Sequence, residues 1–151
     1  MAKNTKKSVL PVLIVESRFY DKIADDLFRG ASAALKAAGV PFERLAVPGA
    51  FEIPAAIRWI AKSDRGSRYG GYLALGCVIR GQTEHYDHIC REVSRGIMDL
   101  TTVDKLAVGF GILTCPTYVL AEDRADPAKK NKGAEAAKAC LAMMDLKKDL
   151  R

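Results

Sequence analysis

The sequence lacks the patterns that mark membrane-spanning, disulfide-stabilised and zinc-binding proteins. No apolar run approaches the roughly 20 residues that a membrane helix requires, and the four cysteines include no C-x-x-C pair. The basic residues before Pro11 adjoin only a short apolar stretch, which predicts a tail and a strand instead of a secretory signal. We therefore expect a cytoplasmic protein with no membrane partner.

Basic charge is present, but it is not arranged as in a nucleic-acid-binding protein. Lysine and arginine number 24 against 18 acidic residues, which gives a formal net charge of +6. Much of the excess lies at the two termini, in residues 3–7 and 147–151, and no basic stripe is interleaved with aromatic residues. Solvated ends are therefore favoured over a nucleic-acid site, and residues 1–8 are expected to form a flexible tail.

The length of 151 residues indicates a single domain over residues 1–151. Strand-length apolar runs alternate along it with apolar positions at helical spacing. The predicted strands are 8–15, 41–47, 72–79 and 105–113, and the predicted helices are 23–38, 53–62, 89–100, a short segment after Cys115-Pro116, and 131–150. Such alternation predicts an α/β fold, a three-layer α/β/α sandwich around a four-stranded parallel sheet in a flavodoxin-like arrangement.

Polar and aromatic residues follow each predicted strand, in the segments 16–19, 48–52, 80–85 and 114–117. Open parallel sheets bind ligands beyond the carboxyl ends of their strands, so all four segments are expected at one edge. Their mixture of aromatic rings, hydroxyls and one histidine suits a polar, planar ligand.

The segment Gly81-Gln82-Thr83 has the composition of an anion site. Glycine permits a tight turn into a helix, and the first helical N–H groups have no partner inside the helix. These N–H groups and the helix dipole favour an anion, and the Thr83 hydroxyl adds a donor. The alternative is that Thr83 only caps the helix.

His85 follows this turn, and an imidazole changes its charge near neutral pH, so it is a candidate proton carrier. A packed or surface histidine is the alternative. The group His85, His88 and Cys90 invites a metal site, but its spacing matches no known zinc motif. Among the cysteines, Cys77 and Cys140 are predicted core residues.

A late basic cluster contains Arg124 and Lys132. Arginine grips phosphate through its planar fork, and Lys132 and Glu135 share one helix face because they are three residues apart. The alternative for this last pair is an exposed ion pair worth less than about 1 kcal/mol.

Three motifs together resemble the lumazine synthase family: PGAFEIP at 48–54, GCVIRGQTEHYD at 76–87 and NKGAEAA at 131–137. The resemblance runs from about residue 10 to residue 145. It implies an enzyme, a transferase of riboflavin biosynthesis that condenses two small molecules without a cofactor or metal. These are 5-amino-6-(D-ribitylamino)uracil and 3,4-dihydroxy-2-butanone 4-phosphate, and the products are 6,7-dimethyl-8-ribityllumazine, phosphate and water.

The resemblance also implies a role for each site residue. His85 moves protons as the catalytic residue, and Glu135 supports it. The implied phosphate ligands are Gln82, Thr83 and Arg124, and the implied pyrimidine and ribityl contacts are Phe19, Ala50, Phe51, Glu52, Cys77, Val78, Ile79, Phe110 and Lys132. In this family the site lies between two subunits of a homopentamer, so Phe110, Arg124 and Lys132 are expected from the neighbouring subunit.

The sequence departs from the family pattern at two places. Thr114-Cys115-Pro116-Thr117 stands where Thr-x-Asp-Thr is common, and residues 125–130 replace a glycine-rich link. That link shapes the bend before the last helix, so Pro127 leaves open whether pentamers assemble into a sixty-subunit shell. Three other functions stay open: a flavin- or lumazine-storage protein, an aldolase that uses Lys132 as an imine-forming nucleophile, and a purely structural shell protein.

Overall fold

The structure, a computed structural model, describes residues 8–151, and the chain forms four strands and five α-helices within that range. The strands are β1 (Val12–Ser17), β2 (Phe42–Val47), β3 (Gly71–Ile79) and β4 (Val108–Cys115), and the helices are α1 (Asp21–Ala37), α2 (Ile53–Lys62), α3 (His85–Thr102), α4 (Tyr118–Ala125) and α5 (Lys132–Asp149). None of these helices is both long and apolar enough to cross a membrane. The predicted tail, apart from Ser8, lies outside the described residues.

The strands pair side by side in the order β2-β1-β3-β4, and every pairing is parallel. The register sets Ser17 against Val47 and Ile79 against Cys115, so the strands end at a common edge. The predicted α/β fold with a four-stranded parallel sheet is confirmed.

Alternation along the strands builds a core on each face of the sheet. In β1, Val12 and Ile14 face α1, α4 and α5, whereas Leu13 and Val15 face α2 and α3. Successive side chains of a strand point to opposite faces, so a strand covered on both sides reads as a continuous apolar run. Helices therefore cover both faces of the sheet, as the three-layer prediction requires.

Several predicted boundaries were wrong by two to four residues. β1 begins at Val12, directly after Pro11, because proline has no N–H for the ladder. It continues through Glu16 and Ser17, which are buried although polar. β4 begins only at Val108, since Lys105 has a left-handed φ of 58° that a strand does not accommodate. α3 begins at His85 instead of residue 89.

Helices α1 and α5 cross so closely that their backbones are in contact. A Cβ atom added at Gly133 would lie 2.1 Å from the carbonyl oxygen of Leu27, and one added at Gly30 would lie 2.1 Å from Oδ1 of Asn131. Neither glycine has room for a side chain. This crossing fixes the first turn of α5, which carries Lys132 and Glu135.

We predict that Gly133→Ala lowers the free energy of unfolding by about 1–3 kcal/mol, because the new methyl group meets backbone atoms that cannot yield. Urea unfolding measures the change. Gly81→Ala is the matched control, because a Cβ there would meet no atom within 4 Å. Equal stability of the Gly133→Ala protein and the wild type would contradict the crossing geometry.

Candidate active site

A cleft of about 550 Å³ opens at the edge of the sheet where the strands end. Its walls come from the segments after β1 and β2, from the end of β3 and from the start of α3. The lining residues are Phe19, Tyr20, Gly49, Ala50, Phe51, Glu52, Cys77, Val78, Ile79, His85 and Ile89. Eight of the predicted site residues are therefore gathered in one cavity.

Three of the four predicted strand-end segments contribute to this cleft, and the fourth does not. Glu16 and Ser17 belong to β1 itself, so only Arg18 and Phe19 of the first segment lie beyond the strand. Residues 114–117 do not line the cavity. The cleft lies around the ends of β1, β2 and β3, and β4 pairs only with β3 at the far edge of the sheet from β2.

The cleft presents two large aromatic side chains to solvent. Phe19 is 76% exposed and Phe51 is 59% exposed, although both belong to well-formed segments of the fold. The Phe19 ring meets Tyr20 edge-on, with ring centroids 4.9 Å apart. Exposed aromatic faces beside a polar cavity suit a flat heterocycle, because rings stack favourably on one another.

A buried carboxylate anchors the segment that carries Phe19. Glu16 accepts hydrogen bonds from Arg18 at 2.8 Å and from Arg44 at 2.8 and 2.9 Å. Arg18 also bonds Asp25 of α1, and Arg44 lies 3.5 Å above the Phe28 ring. Arg18 is therefore fixed from both sides directly before Phe19.

Burial alone would raise the pKa of Glu16, but hydrogen bonds from Arg44 and Arg18 outweigh it and hold the pKa below its ordinary 4.5. A lowered carboxyl pKa stabilises the fold above pH 4.5, and that stabilisation is lost as the pH falls through the folded-state value.

We predict that Glu16→Gln costs about 1–3 kcal/mol near pH 7. That is less than for a fully buried pair, because both guanidinium groups reach solvent. Urea unfolding between about pH 7 and about pH 3 should show that the difference from wild type shrinks in acid. A difference that is constant over this range would exclude the ionised carboxylate as its cause.

The turn before α3 has backbone N–H groups with no internal partner. Among residues 8–151, no hydrogen bond uses the N–H of Gly81, Gln82, Thr83 or Glu84. The Thr83 Oγ1 atom accepts a hydrogen bond from the His85 N–H at 3.3 Å. The predicted capping role of Thr83 therefore accounts for only one lone pair of its hydroxyl oxygen. Its hydrogen donates to no described residue. The N–H groups of this turn and the hydroxyl hydrogen of Thr83 are therefore available to donate hydrogen bonds to an anion.

Gly81 lies in the turn that connects β3 to α3. Its φ is not left-handed, and a Cβ atom added there would meet no atom within 4 Å. The fold of this chain does not require glycine there.

His85 is the first residue of α3 and lines the cleft with an exposed imidazole. His88, one turn further along α3, is also exposed but does not line the cavity. In the part of the chain that the structure describes, no three His, Cys, Asp or Glu side chains are grouped as metal ligands. His85 is thus the histidine positioned to exchange protons with a molecule in the cleft.

The thiols near the cleft are neutral at ordinary pH. Burial raises the pKa of Cys77 to about 12, and nearby Cys115 adds to the shift. Burial also raises the pKa of Cys115, although the charge of Arg124 opposes it. Cys77 and Cys140 are buried as predicted, and Cys77 also forms part of the cleft wall.

Six predicted site residues do not line this cleft: Gln82 and Thr83 are in the turn directly before His85, and the other four lie elsewhere. Phe110 is 46% exposed in the middle of β4 and lines a separate depression of about 290 Å³ beside α3. Arg124 lies in the last turn of α4, where its charge reaches Cys115. Lys132 Nζ bonds Glu135 Oε2 at 2.9 Å, and neither side chain lines the cavity with His85.

The sequence analysis assigned no site role to three lining residues, Tyr20, Gly49 and Ile89. Tyr20 directly follows Phe19, and Gly49 lies inside the first motif, so both positions were open to prediction. Ile89 was identified only as a core position of α3, because helical periodicity does not distinguish the core from the edge of a cavity.

The chain is similar to known proteins over most of its length. The family model for 6,7-dimethyl-8-ribityllumazine synthase matches residues 10–148. A protein of that name from Paramagnetospirillum magneticum is 48% identical over 143 residues, which cover 92% of this chain and 95% of the relative. One from Novosphingobium aromaticivorans is 53% identical over 135 residues, covering 89% and 94%. One from Bartonella tribocorum is 50% identical over 137 residues, covering 91% and 89%. The chain belongs to the 6,7-dimethyl-8-ribityllumazine synthase family.

Proposed function

We propose that the chain is an active 6,7-dimethyl-8-ribityllumazine synthase of riboflavin biosynthesis. It condenses 5-amino-6-(D-ribitylamino)uracil with 3,4-dihydroxy-2-butanone 4-phosphate and releases phosphate and water. One observation carries the proposal: His85 shares a cleft with the exposed rings of Phe19 and Phe51, directly after a turn whose amides have no hydrogen-bond partner among residues 8–151.

The cleft offers a complementary surface to each part of the two substrates. Phe19 would stack on the pyrimidine ring, and Phe51 and Glu52 would receive the ribityl chain, whose hydroxyls donate to the carboxylate. Backbone groups of 77–79, at the end of β3, would hold the edge of the pyrimidine. The phosphate would lie on the amides of Gln82 and Thr83.

The chemistry needs groups that position reactants and move protons. The pyrimidine amine attacks the ketone, and loss of water gives an imine. Phosphate then leaves, the resulting enol tautomerises, and the ribitylamino nitrogen closes the second ring with loss of water. Each step transfers a proton or expels an anion, so a metal or hydride carrier is not required. Holding the two reactants together supplies most of the acceleration, and His85 supplies acid–base help.

His85→Ala should lower kcat by about 10²- to 10⁴-fold, because the proton transfers then fall to water. The assay mixes both substrates and follows lumazine fluorescence and phosphate release above the uncatalysed background. His88→Ala is the control, since that histidine lies outside the cavity. Wild-type protein without activity would refute the proposed function, whereas full activity of His85→Ala would remove only the role of His85.

We further propose that a neighbouring subunit completes the site in a homopentamer. Phe110, Arg124 and Lys132 are exposed or half-buried at positions away from the cleft of their own chain. Large apolar side chains are exposed near them, including Met98 beside Phe110 and Val119 on α4. Exposed apolar surface of this kind marks protein interfaces. Whether pentamers assemble into a larger shell depends on the α4–α5 connection that contains Pro127.

Mixing two defective variants tests this shared site. Arg124→Ala should raise KM for the phosphorylated substrate, because the phosphate loses a charged partner. If His85 and Arg124 of one site come from adjacent subunits, equal co-expression of His85→Ala and Arg124→Ala chains restores about one quarter of the sites. Native mass spectrometry should give about 82 kDa, five copies of the 16.4 kDa chain. Mixed assemblies no more active than the average of the two variants would show that each site belongs to a single chain.

A cytoplasmic location is the remaining part of the proposal. Four free cysteines, Cys77, Cys90, Cys115 and Cys140, support it, because thiols persist in a reducing compartment.

A further inference from the structure

The turn that precedes α3 has few contacts of its own. At its start, the Arg80 N–H donates to the carbonyl of Cys115 at 3.0 Å. At its end, the Asp87 N–H donates to the carbonyl of Glu84 at 3.0 Å, within the first turn of α3. Between these two bonds, residues 81–84 are all exposed. Some other interaction must therefore fix the direction in which their amides point.

Arg80 and Asp87 form a two-point ion pair across this turn. Arg80 Nη1 lies 3.3 Å from Asp87 Oδ2, and Arg80 Nη2 lies 3.1 Å from Asp87 Oδ1. A planar fork that meets both carboxylate oxygens sets orientation as well as distance. The pair therefore joins the end of β3 to the first turn of α3 and closes the loop that contains Gln82, Thr83 and His85.

Tyr86 holds the guanidinium from its other side. The Arg80 Cζ atom lies 4.4 Å from the centroid of the Tyr86 ring, a cation–π contact. The backbone N–H of Arg80 also donates to the carbonyl of Cys115 in β4. The position of Arg80 is thus tied to β3, to β4 and to α3.

We propose that the Arg80–Asp87 ion pair is a clamp that holds the 81–85 turn in its anion-binding shape. Both are positioning residues that act through the turn amides and His85, and this role rests on the proposed function. Both side chains are nearly half exposed, 47% and 44%, so the pair adds little to global stability. Its loss is expected to change the geometry of the turn and to leave the unfolding of the protein almost unchanged.

A different role for Arg80, direct contact with the phosphate, makes opposite predictions. If Arg80 bound phosphate itself, Asp87→Asn would release it from a competing carboxylate and tighten binding of the phosphorylated substrate. If the pair is a clamp, the same substitution loosens the turn and weakens that binding. The sign of the change in KM therefore separates the two roles.

A double-mutant cycle on Arg80→Gln and Asp87→Asn tests the clamp. Each single variant should raise KM for the phosphorylated substrate by about 5- to 50-fold, because small displacements of binding groups are costly. KM for the pyrimidine substrate and the melting temperature should change little. The double variant should be no worse than either single variant, because one interaction is lost in all three. Asp87 also interacts with the α3 dipole, and this interaction does not depend on Arg80. The cycle therefore separates the effect of the ion pair from the effect of Asp87 on the dipole.

The Arg95–Asp99 pair on the same helix supplies the control. It is an exposed i,i+4 pair at 3.9 Å, with Asp99 43% exposed, far along α3 from the turn. Asp99→Asn should leave both KM values at wild-type levels. Unchanged KM in Asp87→Asn, lower KM in that variant, or additive effects in the double variant would each overturn the clamp.

Amide hydrogen exchange tests the same clamp without relying on catalysis. The amides of Arg80 and His85 are hydrogen-bonded at the two ends of the turn, so they should exchange faster in Asp87→Asn than in wild type and should be unaffected by Asp99→Asn. Equal exchange in all three proteins would refute the clamp. Wild-type protein that makes no lumazine would refute the proposed function, and the exchange result would still decide the clamp.

Discussion

Because all four strands run in the same direction, every connection from a strand to the next helix leaves the sheet at one edge. The register that aligns the strand ends decides which side chains meet there. β1 and β3 are adjacent in the middle of the sheet, so the segments that follow them form opposite walls of one cleft. The position of the site thus follows from the topology, and its chemistry follows from the residues that extend each strand.

Two ion-pair systems fix these extensions, and they differ in burial. Around Glu16 the carboxylate is buried, although its two arginine partners reach solvent, so these ion pairs act on both the stability of the fold and the direction of Phe19. Around Arg80 the charges are exposed, so they shape a turn and add little to stability. We propose that one system orients the aromatic wall and that the other orients the amides of residues 81–84 and His85. The charged groups of neither system line the cleft.

Much of the fold could be predicted from the sequence, because strands buried on both faces appear as continuous apolar runs and helices show apolar residues at helical spacing. The boundaries were harder to place. Glu16 reads as the end of a strand, yet it is buried within one, because its partners Arg18 and Arg44 are visible only once the chain is folded. Lys105 was predicted to begin β4, but its left-handed backbone moves the start of the strand to Val108. No pattern of residue types reveals this backbone conformation.

The candidate site was predictable where motifs are contiguous, as in 48–54 and 76–87. The placement of Phe110, Arg124 and Lys132 is not a property of one chain if a neighbour completes the site, so local sequence patterns do not reveal it. The ion pair of Arg80 and Asp87 was also missed, although both residues lie within a recognised motif. A spacing of seven predicts proximity only in a continuous helix, and most of the segment between these two residues is a turn.

The central claim is that one anion-binding crevice at the sheet edge is shared by two subunits. A crystal structure of the assembled protein with inorganic phosphate and the pyrimidine substrate tests it most directly. The account predicts phosphate on the amides of Gln82 and Thr83, the pyrimidine against Phe19, and Arg124 of the adjacent subunit reaching the same phosphate. Phosphate bound away from this turn, or Arg124 remote from it across every pair of touching subunits, would contradict the account.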